Sequence, residues 1–446
     1  MQTQALGQAM LSGTETPLKV TPAFSRRNVA VAAGLFMVAL LSLWAFEVKV
    51  HINPFAPSGA PYFVYQAQSF LHGRWNLDLP ASFTDIVVVQ GKQYIVYPPM
   101  PAIVLMPFVA IFGLHTSDIL MTAVSSALNL SLLYLLFEQV RESGFTQRVW
   151  VENLIISVML WFGSISLWLS LGGAVWYTAH IMCMTFTLLA LLAAFRRHYT
   201  VAAVLLGSAF FCRATVIVGF LFLLYLAWQD AGTEPLLQRF IRQLWRRTPD
   251  WAAIPWRRLA GPLLVMAGVL LLFMARNTMV FGSPLDSGYG MLIAQRYPVV
   301  KTGPFNISYV PANIIANFFS FPQVTFNGPF DRHPLINIDN SGTAVSVFVT
   351  TPLFLFLFWR NRRFSATRAA LWVTIGPIVV AVLLFHAYGW YQFGARYLFE
   401  AYPFAFLLLV LNDVRVDWRF AALGYLGIAI NIMGAVQLWT DLLPYM

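Results

Sequence analysis

The sequence predicts an all-α polytopic membrane protein with about 11 transmembrane helices and a large first external loop carrying interfacial helices. Three observations lead there. The chain is 59% hydrophobic and 10% charged, with a mean hydropathy of +0.68, whereas soluble domains carry about a quarter charged residues. Apolar runs close to the roughly 20 residues that a crossing helix needs recur along its whole length. Basic residues gather between those runs in clusters that alternate in side. The net charge of +10 therefore has to be read loop by loop against the positive-inside rule, and no nucleic-acid partner follows from it. Both cysteines, Cys183 and Cys212, sit inside apolar runs and read as small buried hydrophobes, not as a disulfide or metal pair.

Residues 1–28 form a polar cytoplasmic tail ending in Ser25-Arg26-Arg27, and residues 29–446 form a single transmembrane domain. Span one is 29–46. A cleaved signal peptide is excluded because the tail is too long and no small-residue cleavage site follows Phe46. The first external loop, 47–114, holds a short amphipathic helix at 61–72, the acids Asp78 and Asp85, the alternating run VVVQGKQYIVY, and a Pro98-Pro99 break. The apolar stretch 101–113 that follows is too short to cross and is expected in the interface.

Span two is 117–136 and span three 150–171; a Gly172-Gly173 turn leads into span four, 175–195, which stops at Arg196-Arg197-His198. Segment 201–228 is ambiguous in length. As one span it would hold Arg213 at the bilayer centre, at about 2.5–3.5 kcal/mol; as two short helices meeting at Arg213, the charge sits at a water-filled tip, and this hairpin is expected. The basic loop 229–259 is cytoplasmic, with an interfacial amphipathic helix at 236–245. Span seven is 262–280, the second external loop 281–342, and spans eight to eleven are 343–359, 369–388, 398–411 and 420–439. With this layout 19 of the 28 Lys and Arg residues fall in cytoplasmic segments. The N-terminus is then inside and the C-terminus external, in a cell (inner or plasma) membrane.

The external side collects sparse acids among Arg, Lys, Tyr and Trp. Such a set suits a substrate that joins an anion to a sugar and a lipid: cations take phosphate, aromatic faces take sugar, and a carboxylate serves as base. Asp85 is the leading carboxylate, with Asp78 and Glu47 beside it; its other reading is a turn acid capping its own backbone. Arg213 either binds phosphate or snorkels. Arg396 either meets substrate or pairs with Glu400 one turn on. His180, flanked by Trp176 and Tyr177, reads as a satisfied core histidine or a sugar contact. Lys92 and Arg74 read as headgroup contacts. His51, His72, His115 and His333 lack metal-ligand spacing, and no Walker loop, nucleophile elbow or dinucleotide fingerprint occurs.

The arrangement FLHGRW, acid, VQGKQYIVYPPMPAIVLMPFVAIFG resembles the first external loop of the GT-C-type integral membrane glycosyltransferases. The segments GSAFFCRAT and FGARYLFEAYPF resemble that family's basic-tipped hairpin and late RY…P segment. The resemblance implies a GT-C-like fold and transfer from a polyprenyl-phosphate sugar donor to a glycan, lipid or protein acceptor at the external face. It implies Asp85 as the catalytic carboxylate, with Arg213, Arg396, His180, Lys92, Tyr94 and Glu400 around the substrate, and it leaves a divalent metal open. One departure stands out: where many members carry an acid before the first interfacial helix, this chain reads Pro57-Ser58-Gly59-Ala60. A lipid-linked polysaccharide ligase or polymerase and a lipid or sugar transporter are the alternatives. A transporter is expected to show paired broken helices and inverted repeats.

Overall fold

The computed structural model describes residues 24–80, 83–230, 254–297, 300, 302–326, 336–339, 345–359, 365–387, 389 and 392–442. Helix α1 (Arg26–Lys49) starts at Ser25, whose side chain accepts the Asn28 N–H. The first loop folds as α2 (Tyr62–Leu71), the antiparallel strands β1 (Ile86–Val89) and β2 (Lys92–Ile95), and α3 (Met100–Phe112). Gln90 and Gly91 close the hairpin, both at positive φ (50° and 75°) as a two-residue turn requires. Helix α3 begins directly after the proline pair. It turns Ala102, Leu105 and Val109 inward and leaves Ile103, Phe108, Ile111 and Phe112 exposed, as suits a helix lying along the membrane interface.

The bundle continues through α4 (Asp118–Glu142), α5 (Trp150–Phe162), α6 (Ser166–Leu169), α7 (Val175–Phe195), α8 (Tyr199–Phe210), α9 (Gly219–Gln229) and α10 (Trp256–Phe281). The second loop carries α11 (Tyr289–Arg296), α12 (Val310–Ile314) with a π turn at Ile315–Phe319, and the hairpin β3 (Gln323–Phe326) with β4 (Ile336–Asp339). Then come α13 (Val347–Thr350), a 3-10 helix at Pro352–Phe358, α14 (Ala366–Leu384), a 3-10 helix at Arg396–Ala401, α15 (Tyr402–Leu411) and α16 (Trp418–Leu442). Helices α4 and α7 form the buried centre: α4 packs on α1 and α7, α7 on α8, and α8 on α10.

Among the described residues, six helices are long and apolar enough to cross a membrane: α1, α4, α7, α10, α14 and α16. The chain is a multi-pass membrane protein, and helices dominate it, with two small hairpins added. Other expected crossings differ from the sequence reading. Segment 150–171 breaks into α5 and α6, 343–359 into α13 and a 3-10 helix, and 398–411 into a 3-10 helix and α15, whereas the 201–228 segment forms the expected pair of short helices, α8 and α9, on either side of Arg213. The tail to residue 23 and the 236–245 helix lie outside the described residues.

Short and broken helices survive in a bilayer only where protein groups take the freed backbone carbonyls. Asparagine amides do so here. The Asn431 amide donates to Thr350 O (2.6 Å) and Gly427 O (2.8 Å), Asn412 to Phe356 O and Leu357 O, and Asn313 to Val382 O, Leu383 O and Phe385 O. The break after α5 falls at Gly163, where a Cβ would meet Met159 O at 2.4 Å and Gly424 O at 3.2 Å; α16 runs against bare backbone there. Asn431→Leu keeps volume but strands the buried Thr350 carbonyl. It should cost about 1–3 kcal/mol, read as a lowered thermal midpoint of the detergent-purified protein, while Asn431→Gln should lose less.

Candidate active site

One buried carboxylate sets the mouth of α7. Asp118, at the first position of α4, accepts Ser58 N–H (2.8 Å), Ser58 Oγ–H (2.6 Å) and Ala174 N–H (3.2 Å). Ala174 has φ 70° and ψ 151°, a conformation that costs a residue with a Cβ about 1–3 kcal/mol unless its surroundings hold it. The bond from Asp118 and that from Val175 N–H to Ala60 O supply the hold. The preceding Gly172 (φ 76°) leaves room for the Trp439 ring, which a Cβ would meet at 2.3 Å. Thus pinned, the start of α7 presents Trp176, Tyr177 and His180.

Asp85 lies just ahead of β1, and its carboxylate is gripped by three side chains from three segments. Tyr97 Oη–H (2.8 Å) and Trp176 Nε1–H (2.7 Å) donate to Oδ2, and Tyr297 Oη–H (3.2 Å) donates to Oδ1. The carboxylate caps no backbone N–H among the described residues, so the turn-acid reading is not the geometry found. Burial, and then the Asp85 charge, pushes the Tyr97 phenol well above its ordinary value and that of Tyr297 to about 12. Both are neutral donors at neutral pH.

The arginines differ from expectation. Arg213 does sit between two short helices, but not at a water-filled tip: its side chain is 14% exposed and Nε donates to Glu400 Oε1 at 2.7 Å. His180 Nδ1 lies 2.8 Å from the same oxygen, a contact more electrostatic than aligned. The Arg396–Glu400 pair does not form. Residues 396–401 are a 3-10 helix, and at about three residues per turn positions i and i+4 diverge by roughly a third of a turn instead of stacking.

Arg396 is buried with no carboxylate partner among the described residues. Its guanidinium carbon lies 5.1 Å from the Tyr397 ring and 5.9 Å from the Tyr177 ring, and its Nε makes no hydrogen bond. Two links place it beside the Asp85 cage. Tyr177 follows Trp176 in sequence, and the Tyr97 phenol that donates to Asp85 lies within electrostatic reach of Arg396. Arg276, at the end of α10, is also buried, and donates to Ile95 O (3.1 Å) and Asn277 Oδ1 (3.1 Å).

The structure thus brings Asp85, His180, Arg213, Arg396 and Glu400 to one end of the bundle. It does not bring Lys92, which is exposed beside the hairpin turn, or Tyr94, which is half-buried on β2 opposite Val87. Arg74 pairs with Asp78 at 3.0 Å on the surface. Glu47 is buried at the end of α1, with no charged group beside it among the described residues. The sequence reading missed Tyr97, Tyr297 and Tyr397 and took Trp176 only as a neighbour of His180. The available signal was the second tyrosine of YIVYPP: strand alternation and the proline pair set Tyr97 apart from Tyr94.

No protein-family model matches the chain, and no curated protein sequence matches it. Among solved structures, it is similar to ArnT from Cupriavidus metallidurans bound to undecaprenyl phosphate, at 14% identity and a TM-score of 0.48 over 91% of this chain and 62% of that one. It is also similar to the oligosaccharyltransferase AglB from Archaeoglobus fulgidus, in complex with an inhibitory peptide and a dolichol-phosphate. There the identity is 13% and the TM-score 0.44, over 94% of this chain and 56% of that one. The chain therefore spans less than two thirds of the length of either.

Because Arg213 and Glu400 neutralise each other inside the protein, Arg213→Ala should not be a mild change. It leaves a buried carboxylate with only His180 beside it and should cost about 3–5 kcal/mol, seen as a lower thermal midpoint and folded yield in detergent. Arg213→Met with Glu400→Gln should regain at least half of that loss. Strictly additive single and double variants would show that the two charges are not coupled.

Proposed function

We propose that the protein is a membrane glycosyltransferase that moves a sugar from a polyprenyl-phosphate carrier to an acceptor hydroxyl at the external face of the membrane. The observation that carries this reading is the juxtaposition of Arg396, a buried guanidinium without a counter-charge, with Asp85, a carboxylate held in an aromatic cage. Arg396 Nη2 donates to Tyr397 Oη at 3.4 Å, which leaves the charge without a carboxylate among the described residues; a buried cation in that state costs several kcal/mol, and so the site suits an arriving anion. The rings of Tyr97, Trp176, Tyr177 and Tyr397 around it suit a sugar.

The proposed step is an inverting displacement. Asp85 takes the proton of the acceptor hydroxyl, and the acceptor oxygen bonds to the anomeric carbon as the bond from that carbon to the phosphate oxygen breaks. The carrier leaves as a phosphate monoester. Arg396 faces the charge that develops on the leaving phosphate, where a preorganised donor in a dry site is most effective. His180 and Glu400 border the same space, and Arg213 acts through Glu400 instead of meeting the phosphate first. The assignment of this end to the external face rests on the alternation of basic clusters, with about 11 crossings, the N-terminus inside and the C-terminus outside.

Release of free carrier from a panel of polyprenyl-phosphate sugars by the purified protein, with and without a chelator, tests the reaction. Asp85→Asn should lower release by about 10²- to 10⁴-fold. Arg396→Ala should raise the carrier KM and lower kcat, and Arg396→Lys should recover only part because the planar fork is lost. Near-normal turnover of Asp85→Asn would overturn the assignment of the base. A reporter placed in the 229–259 loop should read cytoplasmic and one beside Phe326 external; the same side for both would break the topology.

A further inference from the structure

The two oxygens of Asp85 are not equivalent. Oδ2 receives two short hydrogen bonds, from Tyr97 (2.8 Å) and Trp176 (2.7 Å); Oδ1 receives one longer bond, from Tyr297 (3.2 Å). An ionised carboxylate has about four acceptor positions, so the oxygen with capacity to spare is Oδ1. The donors to Oδ2 are fixed in place: Tyr97 is 6% exposed and precedes the proline pair, and Trp176 stands at the pinned mouth of α7.

Tyr297 is held differently. It is half-buried and follows α11, an eight-residue helix entered through Gly282 (φ 78°) and Gly288 (φ 86°). Glycines at positive φ are conformationally permissive, while Leu292 and Ile293 anchor α11 in the core. One outer fastening of this segment is the exposed Gln295 amide, whose Oε1 accepts Val88 N–H (3.0 Å) and whose Nε2–H donates to Val88 O (3.1 Å) on the free edge of β1. Tyr289, at the start of α11, lies within electrostatic reach of both Asp85 and Arg213.

We infer that the Tyr297 hydroxyl occupies the place of the acceptor hydroxyl on Asp85 Oδ1, and that α11 is a cover which withdraws it when an acceptor binds. The bond from Tyr297 Oη–H to Oδ1 is the bond that an acceptor O–H makes to its base before transfer. No proton leaves the phenol in this scheme: Tyr297 is a placeholder and positioning residue, and the acceptor's proton alone goes to Asp85. The inference rests on Asp85 being the base of the proposed reaction.

The test uses the full-length protein and the donor that releases carrier best, with water alone and then with methanol at rising concentration as simple hydroxyl acceptors. Tyr297→Phe keeps the ring and removes the competing donor. It should raise kcat/KM for methanol about three- to tenfold, the effect of one modest hydrogen bond, chiefly through KM, and raise hydrolysis by water as well. Gln295→Ala, which unfastens the cover without touching the site, should move both in the same direction. Tyr97→Phe and Trp176→Phe should instead lower kcat. A Tyr297→Phe variant that falls as far as Tyr97→Phe, or one unchanged in both rates, overturns the placeholder while leaving the proposed reaction intact if Asp85→Asn is inactive. An active Asp85→Asn variant, or no carrier release from any donor, overturns both.

Discussion

The bond between Arg213 and Glu400 governs the charge distribution of this site. Glu400 is a buried carboxylate that pairs with Arg213 and not with the buried Arg396 four residues before it. The local helix type decides between them. In an α-helix Glu400 would lie on the face of Arg396 and close an i, i+4 pair. In the 3-10 turn it swings away, toward Arg213 on the α8–α9 connection and His180 on α7. Three elements far apart in sequence are thereby tied together, and Arg396 is left with aromatic faces in place of a counter-ion. A dry arginine without an acid is a costly arrangement, and an anionic ligand would relieve it.

A second carboxylate, Asp118, does mechanical work. It gathers Ser58, the strained Ala174 and the first turn of α4, and so locks the first loop against the start of α7. Trp176 reaches Asp85 because of that lock, and the hairpin delivers Asp85 and Tyr97 from opposite sides of its two strands. The segment Pro57-Ser58-Gly59-Ala60, which holds no acid, has its use here: Ser58 offers a backbone and a hydroxyl donor to Asp118. The carboxylate that faces the cage comes from later in the loop.

The six long helices were legible from run length alone, and the hairpin from its alternation and the Gln90-Gly91 turn. The breaks were not. Hydropathy sees 343–359 as one apolar run, yet Pro352 interrupts it, and the interruption is tolerable only because Asn431 and Asn412, more than 50 residues away, take the freed carbonyls. Site residues followed the same pattern. Arg213, Arg396, His180, Glu400 and Asp85 stood out as rare polar groups in apolar or aromatic surroundings, but their pairing depended on a 3-10 turn that spacing does not reveal. Lys92 and Tyr94 matched a motif, but Lys92 is exposed beside the hairpin turn and Tyr94 is half-buried on β2 opposite Val87.

Those breaks also explain why the site is where it is. Irregular backbone within a bilayer is tolerated only where protein buries it or where it lines a cavity, so a chain that breaks helices at several places must bring the breaks together or satisfy each one separately. Here the turn at 170–174, the connection at 211–218 and the described residues of the return, 385–387 and 392–396, meet at one end of the bundle, alongside the described parts of the two large loops. Met100 N–H, at the head of α3, bonds Phe211 O in the middle connection, and Phe305 bridges Phe385 in the last. Every residue named in the Asp85 and Arg396 surroundings lies on one of these interruptions, in a loop, or within two turns of a helix end. The interrupted helices release polar groups that straight ones would have consumed in their own hydrogen bonds, and the same interruptions supply the tyrosines, tryptophan and arginines that enclose them.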